Sequence, residues 1–203
     1  MLYKTHNKLF NDTYNYKIVI VTPGAGRFRG GDTASILKKL DEVDIVNDWS
    51  IQTSVDLQYA KVLCNTLSMM KDFDVRVESP RISIYSNNLG DINYIANLDV
   101  ERVKYISKPL DGVTLEEGTI VMANRDYDYR VSLGSTSIVH DAFIQWADAN
   151  ADKVLLTNGC RRALSRPKSY GGSYFYIKGD KTLLMSKMHL GSSITKIDRI
   201  LKK

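Results

Sequence analysis

A chain of 203 residues with 43% hydrophobic and 25% charged side chains has ample material for a buried core, which excludes a disordered polymer. Its net charge of +5 suits a polyanionic partner without requiring one. Two cysteines, Cys64 and Cys160, supply neither a disulfide framework nor a paired metal-ligand spacing. The opening segment has no apolar stretch resembling a signal peptide, and no run of about 18 apolar residues occurs anywhere, so a soluble cytoplasmic protein with no membrane partner is expected.

The first strand is expected at Tyr14-Asn15-Tyr16-Lys17 and the IVIVT that follows, where β-branched residues cluster. A stretch rich in glycine and arginine comes next, Pro23-Gly24-Ala25-Gly26-Arg27-Phe28-Arg29-Gly30-Gly31-Asp32, with Asp32 placed to cap a helix over Thr33 to Leu40. Ala60, Leu63, Cys64, Leu67 and Met70 recur at spacings of three and four and predict an amphipathic helix. Strands at Asp74–Val77 and Arg81–Tyr85, a short helix from Leu89 to Leu98 and a closing strand from Val100 to Ser107 complete a first half.

The second half repeats the order. Tyr127-Asp128-Tyr129-Arg130 matches the first Tyr-rich strand, with Tyr129 lying 113 positions after Tyr16. Val139, Ala142, Phe143, Trp146 and Ala149 each lie 79 positions after a member of the first helical set, and the strand Lys153–Leu156 keeps that offset from Asp74–Val77. Ile82 and Ile84 pair with Phe175 and Ile177 at an offset of 93; Val103 and Ile106 pair with Ile197 and Ile200 at 94. A second short helix is expected from Lys181 to Leu190. The order strand, helix, strand, strand, helix, strand in each half predicts an α+β chain of two tandem ferredoxin-like units with antiparallel sheets, residues 1–110 and 111–203. The competing reading is one continuous α/β domain.

The shifting offsets place one insertion near residues 22–53 of the first unit and another near 158–172 of the second. Of the 13 glycines, seven lie in these two stretches. The first stretch lacks the Gly-Lys-Ser/Thr ending of a phosphate loop and the glycine spacing of a dinucleotide site, so no nucleotide cofactor is expected. It has two readings: Arg27 and Arg29 grip phosphates while Phe28 stacks on a base, or the arginines are tied to nearby carboxylates. The second stretch gathers Arg161, Arg162, Arg166 and Lys168 ahead of Tyr170 and Tyr174, a composition suited to a phosphate backbone and stacked bases. Sheets of this type that bind RNA display aromatics on their open face, which nominates Tyr85 in one unit and Tyr174 or Tyr176 in the other, although the RNA-recognition signature is absent.

Catalysis and metal binding find no support. The three histidines, His6, His140 and His189, have no paired spacing, and His140 beside Asp141 reads as a structural histidine. Asp41-Glu42-Val43-Asp44 and Glu116-Glu117 read as turns and helix ends. The tandem plan resembles that of the CRISPR-RNA processing proteins, which pair two such folds and use glycine-rich loops around RNA; their C-terminal glycine-rich motif is not matched by Gly171-Gly172. The richness in Asn, Tyr, Lys and Ile is similar to that of bacteriophage proteins. The expectation is a non-enzymatic protein without cofactor or metal, binding RNA or single-stranded DNA through the two Gly/Arg stretches. The runner-up is an assembly protein, viral or phage-encoded, that docks an acidic protein partner through the same loops, and the third reading is a regulatory module that binds a small metabolite between the paired units.

Overall fold

The computed structural model describes residues 2–30, 32–123, 126–136 and 138–202. The chain divides into two compact units, Met1–Leu115 and Glu116–Lys203. Each is an α+β unit built on a five-stranded sheet with helices on one face. None of the described helices is long and apolar enough to cross a membrane.

In the first unit the elements run β1 (Tyr3–His6), β2 (Tyr16–Val21), α1 (Thr33–Asp41), α2 (Ser54–Met69), β3 (Phe73–Glu78), β4 (Arg81–Ser86), α3 (Leu89–Leu98) and β5 (Val103–Pro109). The sheet order is β1-β5-β2-β4-β3. Strand alternation sends Ile18 and Ile20, Ile82 and Ile84, and Ile106 to one face, where they meet Ala60, Leu63, Cys64 and Leu67 of α2 and Ile92, Ile95 and Ala96 of α3. Asp32 caps α1 by accepting from the Ser35 N–H at 2.7 Å, and Thr53 caps α2 by accepting from the Asp56 N–H at 3.1 Å.

The second unit runs β6 (Thr119–Met122), β7 (Tyr129–Leu133), β8 (Ser135–Thr136), α4 (Asp141–Ala149), β9 (Val154–Leu156), α5 (Asn158–Leu164), β10 (Ser169–Tyr170), β11 (Tyr174–Ile177), α6 (Asp180–Leu190) and β12 (Ile194–Lys202). Its sheet order is β6-β12-β7-β11-β9, the first unit's order strand for strand. Phe143 of α4 meets Phe175 edge-on at 5.2 Å between ring centres, in a core shared with Val131, Val154, Cys160, Leu164 and Ile177.

The pairing registers test the sequence offsets residue by residue. Val75 faces Ile84 and Val77 faces Ile82 across β3 and β4; Val154 faces Ile177 and Leu156 faces Phe175 across β9 and β11, so the offsets of 79 and 93 hold together. The first strand is corrected by two residues. Ile18 and Ile20 face Ile84 and Ile82, while Tyr129 and Val131 face Ile177 and Phe175, an offset of 111 that leaves the buried face unchanged. The match of Ile106 to Ile200 fails. A register shift between Val19 and Ile20 lets Val103 and Ile106 share the helix-covered face, whereas Ile200 joins Ile120 and Tyr176 in a small cluster apart from the main core.

Neither sheet is wholly antiparallel. β1 pairs parallel with β5, and β6 pairs parallel with β12, so an additional edge strand precedes the predicted six elements in both units. The insertions are also more structured than loops. The first holds a 3-10 turn, Ala25–Phe28, that sends Ala25 and Phe28 into the core. The second contains α5, anchored by buried Cys160 and Leu164.

Gly24 precedes the 3-10 turn at φ 73°, and a Cβ there would collide with the side chain of Ile51, which is fully buried. Gly24→Ala therefore combines a left-handed backbone with overpacking and is expected to cost about 1–3 kcal/mol in urea unfolding. A stability equal to that of the unsubstituted chain would contradict this packing.

Candidate nucleic-acid interface

The first Gly/Arg stretch is built as structure. Phe28 is 1% exposed within the first core and has no face to offer a base. Arg27 forms an ion pair with Asp48 and donates from Nη1 to the Lys39 carbonyl at 3.1 Å. Asp48 is drawn down to a pKa of about 2, first by the hydrogen bond from the Ser50 hydroxyl, then by the Ile51 and Ser50 N–H groups and the Arg27 charge, against the opposing cost of desolvation. Both Phe28 and Arg27 are thus corrections to the expected phosphate-gripping loop. Arg29 alone of the three is exposed, with no ion-pair partner among the described residues.

The second stretch is different. Thr157 caps α5 by accepting from the Cys160 N–H at 3.2 Å, and its hydroxyl donates to the Tyr174 carbonyl at 2.7 Å. With Cys160 and Leu164 buried, the intervening residues of α5 face outward. Arg161 is taken by Asp148 of α4, with Nη1 to Oδ2 at 3.0 Å and a second bond from Nη2, and this pairing holds the Asp148 carboxyl below its ordinary range. Arg162, Arg166 and Lys168 are exposed and have no ion-pair partner among the described residues.

After α5 the chain returns through β10, where Ser169 and Tyr170 pair with Thr136 and Ser135 of β8. Gly171 (φ +81°) makes the turn back; a Cβ there would press within 3.0 Å of the Gly134 and Ser135 backbone. This hairpin-like return sets Lys168 and Tyr170 opposite α5. The result is a recess of about 340 Å³ lined by Gly159, Arg162, Ala163, Arg166, Lys168, Ser169, Tyr170 and Gly171, none of them acidic. Tyr170 is 86% exposed, with the Lys168 ammonium 5.9 Å from its ring centre. An aromatic face beside three uncompensated cations can take a base on the ring and phosphates on the side chains.

Tyr174 is not part of this recess. It stands on β11 with the Arg130 guanidinium 5.3 Å above its ring and Tyr176 edge-on at 5.6 Å. Arg130 in turn pairs at 2.9 Å with Asp198, which is buried. Tyr85 and Tyr176 are both buried; Phe10 and Tyr14, at 5.6 and 6.2 Å between ring centres, cover Tyr85. Cys160 is inert as a nucleophile, its thiol pushed up to about 12 by burial. Among the described residues no group of His, Cys, Asp and Glu is arranged to hold a metal ion.

Composition missed a second set of cations on the first sheet. Lys4, Lys17, Arg81 and Lys104 line a recess of about 310 Å³ with Val19, Glu78, Ser83 and Tyr105. Lys17 and Arg81 occupy the polar positions of alternating strands and were legible there. Lys4 depends on the unexpected strand β1, and Lys104 on the irregularity in β5.

No family model, curated protein or solved structure matches the chain.

Proposed function

We propose that the chain is a non-enzymatic nucleic-acid-binding protein made of two tandem ferredoxin-like units, and that it grips phosphates through the α5–β10 recess of the second unit. The ferredoxin-like reading is supported by the strand order last-first-third-second within each sheet, once the parallel edge strands β1 and β6 are set aside. The binding reading is carried by one observation: Arg162, Arg166 and Lys168 converge with exposed Tyr170 on a recess without a carboxylate in its lining. Two other cations of the insertions each meet a carboxylate and are electrostatically spent, Arg27 on Asp48 and Arg161 on Asp148.

Anisotropy of a labelled RNA or DNA single strand, titrated across salt concentrations, tests the reading. Three phosphate contacts predict a log–log salt slope of about −2 from this site. An affinity indifferent to ionic strength would overturn it.

One observation favours the alternative of a protein-docking role. Val46 and Trp49 in the first insertion are 91% and 87% exposed, an apolar display that phosphate binding does not use. Trp49→Ala is expected to leave oligonucleotide affinity unchanged; a loss of tenfold or more would join this segment to the nucleic-acid surface.

A further inference from the structure

The helix-free face of the first sheet places its cations in rows. Lys4 lies opposite Ser107, which lies opposite Lys17, across β1, β5 and β2. In the next row Tyr105 faces Val19 and Val19 faces Ser83; in the row beyond, Val21 faces Arg81. Strand pairing therefore brings Lys4, Lys17 and Arg81, from three separate strands, to one surface around Tyr105, and Lys104 joins them at the rim.

What holds these lysines matters as much as where they are. The Lys4 ammonium sits 3.9 Å from the Tyr105 ring centre. The Lys17 ammonium lies among three rings, 5.7 Å from Phe10, 5.5 Å from Tyr85 and 5.8 Å from Tyr105. An aromatic face attracts a cation through its quadrupole and carries no net charge, so it orders the ammonium without cancelling its field. A carboxylate would do both. Among the described residues none of Lys4, Lys17, Arg81 and Lys104 forms an ion pair, and the single acid of the lining, Glu78, is paired with Arg76 at 2.6 Å.

We infer that this face is a second binding site, for a single-stranded phosphodiester segment whose phosphates draw Lys4 off the Tyr105 ring and meet Lys17, Arg81 and Lys104 as well, and whose base takes the ring face that Lys4 leaves. The inference rests on the nucleic-acid reading for its ligand class, but its residues belong wholly to the first unit. A single strand fits better than a duplex because a base must turn out of its stack to reach Tyr105, and a duplex keeps its bases enclosed. Tyr105 fills this role in place of Tyr85, which Phe10 and Tyr14 cover.

The test uses the full chain and fluorescein-labelled oligothymidine and oligouridine of about 15 nucleotides, with a blunt duplex of equal length. Measured in the background R162E/R166E/K168E, the sheet face is expected to retain salt-sensitive single-strand binding. Adding K4E/R81E/K104E is expected to weaken it about 10- to 100-fold, and Tyr105→Leu about 5- to 100-fold. The neutral set K4Q/R81Q/K104Q, with circular dichroism as the folding control, should give a smaller loss in the same direction. Residual binding unaffected by the sheet-face changes, a preference for the duplex, or no residual binding at all would overturn the inference. Loss of all binding in the α5–β10 background would sink this site and leave the proposed function standing. Full binding in that background, abolished by the sheet-face changes, would do the reverse.

Discussion

Asp48→Ala is expected to destabilise the first unit by about 3 kcal/mol, measured by urea unfolding at neutral pH. Oδ1 of Asp48 accepts from the Ser50 N–H at 2.8 Å, the Ser50 hydroxyl at 2.7 Å and the Ile51 N–H at 2.8 Å, while Oδ2 meets Arg27. One carboxylate thus ties the 3-10 turn to the segment that delivers buried Ile51 to the core. Removing it orphans three donors and leaves Arg27 half-buried without its counter-charge, with Nε already lacking a partner. Asp48→Asn keeps an acceptor and is expected to lose less.

The pH dependence has a definite sign. The carboxyl titrates near 2 in the folded chain against an ordinary value of 3.8, so its contribution is present above pH about 4 and disappears as pH falls toward 2. The stability gap between the native chain and Asp48→Asn should therefore close over that interval. A gap that widens with acid would mean that the carboxylate is not the stabilising form. Oligonucleotide affinity at neutral pH should be unchanged in Asp48→Asn, since Arg27 is assigned to structure.

The second large effect is on binding. R162E/R166E/K168E is expected to weaken single-strand affinity more than 100-fold at low salt and to bring the log–log salt slope about 2 nearer zero. Charge reversal acts twice at this recess, removing three attractive groups and adding three repulsive ones where no acid stood before. Folding should be little affected, because the three side chains are exposed and make no ion pair among the described residues. An Arg161→Glu change instead places an acid beside Asp148, so a smaller binding effect accompanied by some loss of stability is expected there.

How much of this was legible follows from the range of each interaction. Alternation and three-four spacing are local, so the strands around Ile82, Ile84, Phe175 and Ile177 and the helices carrying Leu63 and Phe143 stood out in the sequence. β1 and β6 did not, because four residues paired on one side carry little periodic signal, and β1 is largely exposed. The role of Arg27 was undecidable from composition, since Asp48 lies 21 residues away and only the tertiary fold joins them. Phe28 was misleading for a related reason: placed among glycines and arginines it reads as a stacking residue, yet the 3-10 turn rotates it inward. Arg162, Arg166 and Lys168 were legible as a local run of charge; Arg162 is exposed because α5 turns Cys160 and Leu164 inward, and Arg166 and Lys168 follow on the exposed segment after it.

Which cations remain uncompensated decides where a polyanion binds, and a titration of isotope-labelled protein with a short single strand reads that directly. Amide signals from Gly159 to Gly171 are predicted to shift, together with those around Lys17 and Tyr105 if the sheet face also binds, while Arg27 and Asp48 stay fixed. Shifts confined to the Arg27–Asp48 region or to Val46 and Trp49, with the α5–β10 recess silent, would contradict it.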